Sequence, residues 1–481
     1  MITLRRIFGA SLAAALFAAS SATAQAPAGQ QRLVGNWEGA LNVGISLRLA
    51  FELKADSAGG VSGMLTSIDQ GGARIPVTAT ASGDSVRIAI PMIQGTYTAR
   101  LSARGDSMDG EWMQAGAPSA MPLKLGRVAQ ITRLVRPQEP KPPFPYRAEE
   151  VTFASAESGV TLAGTLTVPQ GTGPFPAVVL VSGSGPQDRD EELLGHKPFA
   201  VLADHLTRRG IAVLRFDDRG VGKSTGRFSV ATSEDFAEDA LGGVRFLKAR
   251  PEVAAGKIGV AGHSEGGLIA PMVAVRSTDV AFLVLLAGPG VPGDEILMAQ
   301  GRLIAKATGQ PDASIERTAR AQARMFATIR AGGDSAAMVA RLEQIGDSVV
   351  AAMPEAERQA SGATPEAVRQ QVRTITSPWF RYFLTYDPRP TLRRVKVPVL
   401  AINGALDLQV PSQENLRAIG AALREGGNAD VVTRELAGLN HLFQPTRTGS
   451  PAEYGTIETT MSPEALEAVA GWITERFGAG K

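Results

Sequence analysis

Ile258-Gly259-Val260-Ala261 runs directly into Gly262-His263-Ser264-Glu265-Gly266-Gly267, and Leu268 to Val275 follows. A short apolar run, a serine bracketed by glycines and a second apolar run of helical length are the pattern of a strand that turns sharply into a helix. In such a G-x-S-x-G elbow the serine is strained and its hydroxyl stands out at the top of a sheet. Gly262 and Gly266 are needed because a Cβ at either place would collide with the tight turn. The alternative is a glycine-rich turn that merely contains a serine, which the strand before it and the helix after it argue against.

Outward from this point, Ala177 to Val181, Ala212 to Phe216, Ala281 to Leu286 and Val399 to Ile402 are nearly all apolar, as strands of a sheet covered on both faces must be. Helical stretches alternate with them, which predicts a mostly parallel α/β sheet flanked by helices. Val151 to Ser155 and Val160 to Val168 read as a hairpin at its start. Between Ala287 and Val397 the strand rhythm stops and Ala-, Arg-, Gln- and Glu-rich sequence with helical spacing takes over, as in Ile315 to Ile329 and Met338 to Met353. Placed just after a strand, this stretch predicts a helical lid at 288–396 inserted into a catalytic domain at 150–478.

Upstream, Gly35 to Arg127 is short, alternating and punctuated by Gly, Asp and Ser. In Ser46 to Lys54, Leu47, Leu49, Phe51 and Leu53 share one face and Arg48, Glu52 and Lys54 the other, as in a half-buried strand. The expected unit at 30–128 is a small all-β barrel or sandwich, with no catalytic cluster in it. Residues 129–149 contain the proline-rich run from Arg136 to Tyr146, which cannot enter a central strand or a helix and reads as a stiff linker.

The first 24 residues read as a signal peptide: Arg5 and Arg6, an apolar run from Ile7 to Ala19, and Ala22-Thr23-Ala24 before Gln25. That run is shorter than a membrane span, so the expectation is a periplasmic or secreted protein with no membrane span in its mature form. Loss of Arg5 and Arg6 with the signal leaves 47 basic against 47 acidic residues, and the pattern has no basic stripe that would mark a nucleic-acid partner. The chain of 481 residues has no cysteine, which excludes disulfides, a thiol nucleophile and thiolate metal sites.

Serine is a poor nucleophile at its free pKa, so Ser264 needs a base within reach and a third group to orient that base. There are four histidines. His263 is bound into the elbow and His196 and His205 precede it, which leaves His441, after the strand-like Val431 to Leu436. For the acid, Asp407 lies just past the buried run Pro398 to Ile402, whereas Asp387 precedes that strand and Asp430 begins the next. The resulting order Ser264, Asp407, His441 is the one expected of serine hydrolases built on this elbow. Oxyanion donors are then expected from the backbone N–H of Glu265 and from the loop Ser182-Gly183-Ser184-Gly185-Pro186-Gln187, at Ser184 or its neighbour Gly183.

Taken together, the elbow around Ser264, Gly404-x-x-Asp407-x-x-Val410-Pro411, the Asn440-His441 loop and Asp218-Arg219-Gly220-Val221-Gly222-Lys223-Ser224 resemble the α/β-hydrolase superfamily. The chain is most similar to secreted bacterial carboxylesterases grouped with the serine aminopeptidase type of hydrolase domain. This resemblance implies ester hydrolysis through an acyl-enzyme, on a small-molecule ester and without a cofactor, and it assigns Ser377 to Phe383 to the lid. The loop departs from the family's His-Gly-x-Gly in having serine for histidine. A peptidase or amidase shares the triad, and an exported binding protein could keep the fold without activity. Gly222-Lys223-Ser224 lacks the glycine that a phosphate-binding loop requires at Asp217. Asp188, Asp190, Glu191, Glu192 and His196 read as solvated loop residues rather than a metal site, some of them able to line the site's entrance. A homo-oligomer stays open.

Overall fold

A computed structural model describes residues 28–478, apart from 43–45, 57–59, 70, 71, 73, 115–119, 158, 356 and 359–361. The expected signal segment lies outside the described residues. Eight antiparallel strands, β1 (Gly35–Asn42), β2 (Ser46–Ala55), β3 (Val61–Ser67), β4 (Arg74–Ser82), β5 (Ser85–Ile90), β6 (Gly95–Leu101), β7 (Ser107–Gln114) and β8 (Met121–Val128), close into a barrel, β1 pairing with β8. Alternation drives the closure, because Val86, Ile88 and Ile90 point inward while Ser85 and Arg87 are exposed. The interior is filled by Trp37, Phe51, Tyr97 and Met108. The Tyr97 hydroxyl reaches the carbonyls of Met108 and Leu123, both at 3.0 Å, so the one polar atom this ring brings inside is satisfied.

The segment expected to be a linker is shorter than 129–149 and is not a free spacer. Its last residues already belong to β9 (Arg147–Ala154). The Arg136 guanidinium donates to the carbonyls of Leu194, Gly455 and Ile457, each at 2.9 Å, and Gln138 accepts from the N–H groups of Thr460 and Met461. Proline content correctly ruled out a strand or helix here. It carried no information about polar side chains that moor the segment to the catalytic domain.

The catalytic sheet follows: β9, β10 (Thr161–Val168), β11 (Phe175–Val181), β12 (Ala212–Phe216), β13 (Val253–His263), β14 (Phe282–Leu286), β15 (Val399–Gly404) and β16 (Val431–Leu436), in the order β16-β15-β14-β13-β11-β12-β10-β9. The strands from β11 to β16 are parallel, and β10 runs antiparallel to both of its neighbours. Adjacent side chains feed opposite layers. Val179 and Val260 join a core with helices Ser233–Lys248, Glu265–Ala274 and Ser412–Glu425, whereas Val178, Leu180 and Ala261 join one with helices Pro198–Arg208 and Pro463–Phe477. Both faces are therefore dry, which is why these strands read as unbroken apolar runs. Between β14 and β15 lie the inserted helices, expected above to form a lid: α1 (Gly293–Ala307), α2 (Asp312–Ala331), α3 (Ser335–Ala351), α4 (Pro365–Ile375) and α5 (Pro378–Thr385), most of which share a separate apolar cluster built on Met325, Phe326, Leu342 and Val372.

Candidate active site

β13 ends at His263, and Ser264 follows with φ 52° and ψ −118° before the helix Glu265–Ala274 begins. A non-glycine residue in that region is strained and persists only where its surroundings hold it. Here the Ser264 N–H is held by the Leu286 carbonyl at 2.8 Å, and the Ser264 carbonyl accepts from Gly267 N at 2.9 Å. The two elbow glycines are sterically required. A Cβ on Gly262 would lie 1.9 Å from the Gly266 oxygen, and one on Gly266 2.1 Å from that of Val181.

Asp407 sits three residues beyond the end of β15 and is buried. Its Oδ1 accepts from the N–H groups of Gln409 (2.7 Å) and Val410 (2.9 Å), and its Oδ2 lies 2.7 Å from His441 Nδ1. The loop carrying His441 is shaped by Asn440, whose side-chain oxygen accepts from the N–H groups of Leu442 and Gln444. Ser264, His441 and Ser184 line one cavity of about 260 Å³, along with Glu191, His263, Trp379 and Val410. The three residues expected to act together thus come from the ends of β13, β15 and β16 and meet at one end of the sheet, where open α/β sheets place their ligands.

The loop expected to supply an oxyanion donor divides into two different environments. The Gly183 N–H is committed to Glu191 Oε1 at 2.6 Å, and Ser184, next in the chain, lines the cavity. Glu265 heads its helix, so its N–H is one of those without an intrahelical acceptor.

Glu191 overturns the reading of its loop as merely solvated. It is buried, and the oxygen that accepts from Gly183 lies 2.9 Å from His263 Nδ1, while His263 Nε2 lies 3.0 Å from the His441 carbonyl. A carbonyl and a carboxylate can only accept, so both ring nitrogens of His263 donate, Nε2 to His441 and Nδ1 to Glu191, as in an imidazolium. Burial disfavours charge on His263, but the Glu191 carboxylate outweighs it and holds the imidazole above its ordinary pKa. The other members of that loop are spent as well. Asp190 pairs with Arg215, and His196 is buried between Thr460 (2.9 Å) and the Tyr454 carbonyl (3.0 Å), where burial lowers its pKa to about 4. Among the described residues no cluster of His, Asp and Glu has the form of a metal site.

The Glu265 side chain is a further feature that the pattern did not reveal. It is buried, accepts from Ser233 Oγ at 2.6 Å, and takes the Trp379 indole N–H at 2.8 and 2.9 Å on its two oxygens. Burial pushes this carboxyl up, and the donors from Ser233, Trp379 and Ser184 oppose the rise. The Asp218-to-Ser224 motif is a structural turn: Arg219 forks onto Asp239 at 2.7 and 2.9 Å, and Ser224 Oγ bonds the Asp217 carbonyl.

A strained serine between strand and helix at one end of a mostly parallel sheet, sharing a cavity with an Asp–His pair from later strand ends, defines an α/β-hydrolase. The model of the X-Pro dipeptidyl-peptidase (S15) family matches residues 158–429, more than half of the chain, and the chain belongs to that family. Esterase EstD of Thermotoga maritima is 40% identical over 139 residues, 29% of this chain and 33% of EstD, so the match spans a third of that relative's length. Among solved structures, an esterase of Pyrococcus furiosus aligns over 69% of this chain and 92% of its own, at 19% identity and a TM-score of 0.42. A proline iminopeptidase of Mycobacterium smegmatis aligns over 69% and 100%, at 16% identity and a TM-score of 0.43.

Proposed function

We propose that this protein is a carboxylesterase-type serine hydrolase in which Ser264, His441 and Asp407 form the catalytic triad. The observation that carries the reading is the 2.7 Å contact between Asp407 and His441 Nδ1 at the wall of the cavity into which the strained Ser264 opens. His441 Nε2 takes the proton of Ser264 as Oγ attacks the ester carbonyl, and Asp407 holds the tautomer and steadies the imidazolium. The oxyanion is met by the N–H groups of Glu265 and Ser184, since that of Gly183 is already engaged. Collapse expels the alcohol with the proton from His441. Water, activated by the same imidazole, then releases the acid and restores Ser264. None of these steps calls for a cofactor, and the partner is a small-molecule ester. The local identity to an esterase supports this reading.

The family description favours a second reading, cleavage of a peptide or aryl amide through the same groups. Paired p-nitrophenyl esters and aminoacyl p-nitroanilides, assayed with the full chain and with Ser264→Ala, separate the two. Ester turnover lost in the variant, without anilide cleavage, supports the esterase; anilide cleavage alone supports the peptidase. Export to the periplasm or medium is also proposed, on Arg5-Arg6 and the apolar run that follows. N-terminal sequencing of the protein recovered from those fractions should begin near Gln25.

A further inference from the structure

Helix α1 separates two cavities. Ile296, Leu297 and Gln300 face the cavity of Ser264, and Leu297 with Gly301 also borders a second, partly open cavity of about 500 Å³ lined by helices α2, α3, α4 and α5. The same division recurs on α5, where Trp379 lines the first cavity and its neighbour Phe380 the second, their rings 6.0 Å apart. Leu297 is thus a wall common to both spaces.

The second cavity differs in character from the surface of the helices that make it. Those helices carry Arg317, Arg320, Arg324, Arg330 and Arg341, yet no ionisable side chain is among the described residues of the lining. Ala321, Met325, Val349 and Val368 face it, and the only polar side chains are amides and hydroxyls. Ala321, Ala363 and Ala367 keep its lining short, while at Gly346 helices α3 and α4 approach so closely that a Cβ would fall 2.4 Å from Val368 Cγ1. A cleft of this size and polarity is in the range of ligand sites. Without a counter-charge, an ionised group would not be stable there, whereas an alkyl chain meets methionine and aliphatic surfaces that adapt to it.

We propose that the lid cavity receives the acyl chain of the substrate, so that the preferred esters carry medium or long unbranched acyl groups that pass Leu297 from the reacting carbonyl. This rests on the esterase reading above and adds a substrate class to it. The cavity at Ser264, at about 260 Å³, holds the reacting group and a short chain, and the lid supplies the remaining length.

The test uses the full chain with p-nitrophenyl acetate, butyrate, octanoate and laurate, and two variants on different helices that fill the lid cavity, Ala321→Phe and Val349→Phe. The ratio of kcat/KM for laurate to that for acetate is expected to exceed ten in the unaltered protein and to fall at least tenfold in both variants. Because it is a ratio within one preparation, partial misfolding of one variant does not mimic the result. In parallel, Ser264→Ala should bind cis-parinaric acid with enhanced fluorescence, and adding Ala321→Phe should weaken that binding at least fivefold. Acetate turnover with no gain for longer chains, or a chain-length ratio that neither variant moves, overturns the proposal and leaves the esterase reading standing. Failure to hydrolyse any ester, even with parinaric acid binding intact, overturns the esterase reading and the acyl assignment with it.

Discussion

Glu191 offers the sharpest perturbation of the site, since one oxygen serves Gly183 N at 2.6 Å and His263 Nδ1 at 2.9 Å in a buried setting. Glu191→Ala leaves a buried imidazolium without its counter-ion and an N–H without its acceptor. Breaking a buried pair in this way costs about 3–5 kcal/mol. At about 2–4 °C per kcal/mol, the unfolding midpoint should fall by roughly 6 °C or more. Glu191→Gln keeps the shape, and its oxygen can still accept from both donors, so the loss is the charge assistance alone, about 1–2 kcal/mol. The sign of its pH dependence follows from His263. A folded pKa raised above the unfolded value of about 6.5 contributes stability that is complete below that value and disappears as pH climbs through the folded pKa. The gap in midpoint between the unaltered protein and Glu191→Gln should therefore be widest near pH 6 and close in alkaline buffer. Activity should fall too, since Gly183 precedes Ser184, the proposed oxyanion donor; about 1.4 kcal/mol of lost positioning is tenfold in kcat. Thermal melts across pH with p-nitrophenyl acetate kinetics read all of this. Equal midpoints, or a gap that does not change with pH, would refute the assignment of a charged Glu191–His263 pair.

Other perturbations separate chemistry from scaffold. Asp407→Asn should lower kcat by about 10³–10⁴-fold with little effect on KM, because the amide presents the wrong partner to His441 Nδ1; initial-rate kinetics on a short ester measure it. Arg219→Ala strips the buried Asp239 of its fork and should cost about 3–5 kcal/mol in urea denaturation. Asp218 is half-buried between Ser182 Oγ and Gln187 N, and loss of water around its carboxyl holds it well above the ordinary range. Its contribution is favourable below about pH 4 and is lost as pH rises, so Asp218→Asn should stabilise the protein at neutral pH, with no gain in acid, in the same denaturation experiment. Trp379→Phe removes the donor to both oxygens of Glu265 and should cost about 1.5–3 kcal/mol while that carboxyl is ionised; because the indole N–H opposes the rise in its pKa, the cost should shrink as pH falls; a pH-independent loss in melts would contradict the bond.

What could be read from the sequence divides along a physical line. Strands buried on both faces must be apolar at every position, so β11, β13, β14 and β15 were visible as runs, and the glycines at 262 and 266 marked the elbow because no side chain fits there. Asp407 and His441, which the structure pairs at 2.7 Å, could be named as candidates because each lies within a few residues of a strand end, a local property. Glu191 was missed for the converse reason. Its neighbours are polar, and burial of that loop is decided by the ends of β11 and β13 closing over it, contacts made with His263 72 residues away. The linker shows the same limit: prolines state what the backbone cannot do, while its mooring depends on Arg136 meeting carbonyls more than 300 residues distant, at Gly455 and Ile457.

The residue after Ser264 joins these levels. In the pattern G-x-S-x-G the second x is free, and the elbow requires only a backbone N–H there. Glutamate at 265 keeps that N–H and adds a carboxylate that is buried under the lid, held by Ser233 on one side and Trp379 on the other. Trp379 also walls the cavity of Ser264 and stacks on Phe383 with centroids 5.6 Å apart. Tyr382, one turn along the lid from Pro378, donates to Glu234 at 2.6 Å, next to Ser233 in the helix that opens there. The lid is therefore fastened to the catalytic domain at the turn that carries the serine. A lid held only by apolar packing could slide over the site, because such contacts have no direction. Two hydrogen bonds to buried or half-buried carboxylates fix its position, and with it the relation between Leu297 and the serine that sets which chains can enter.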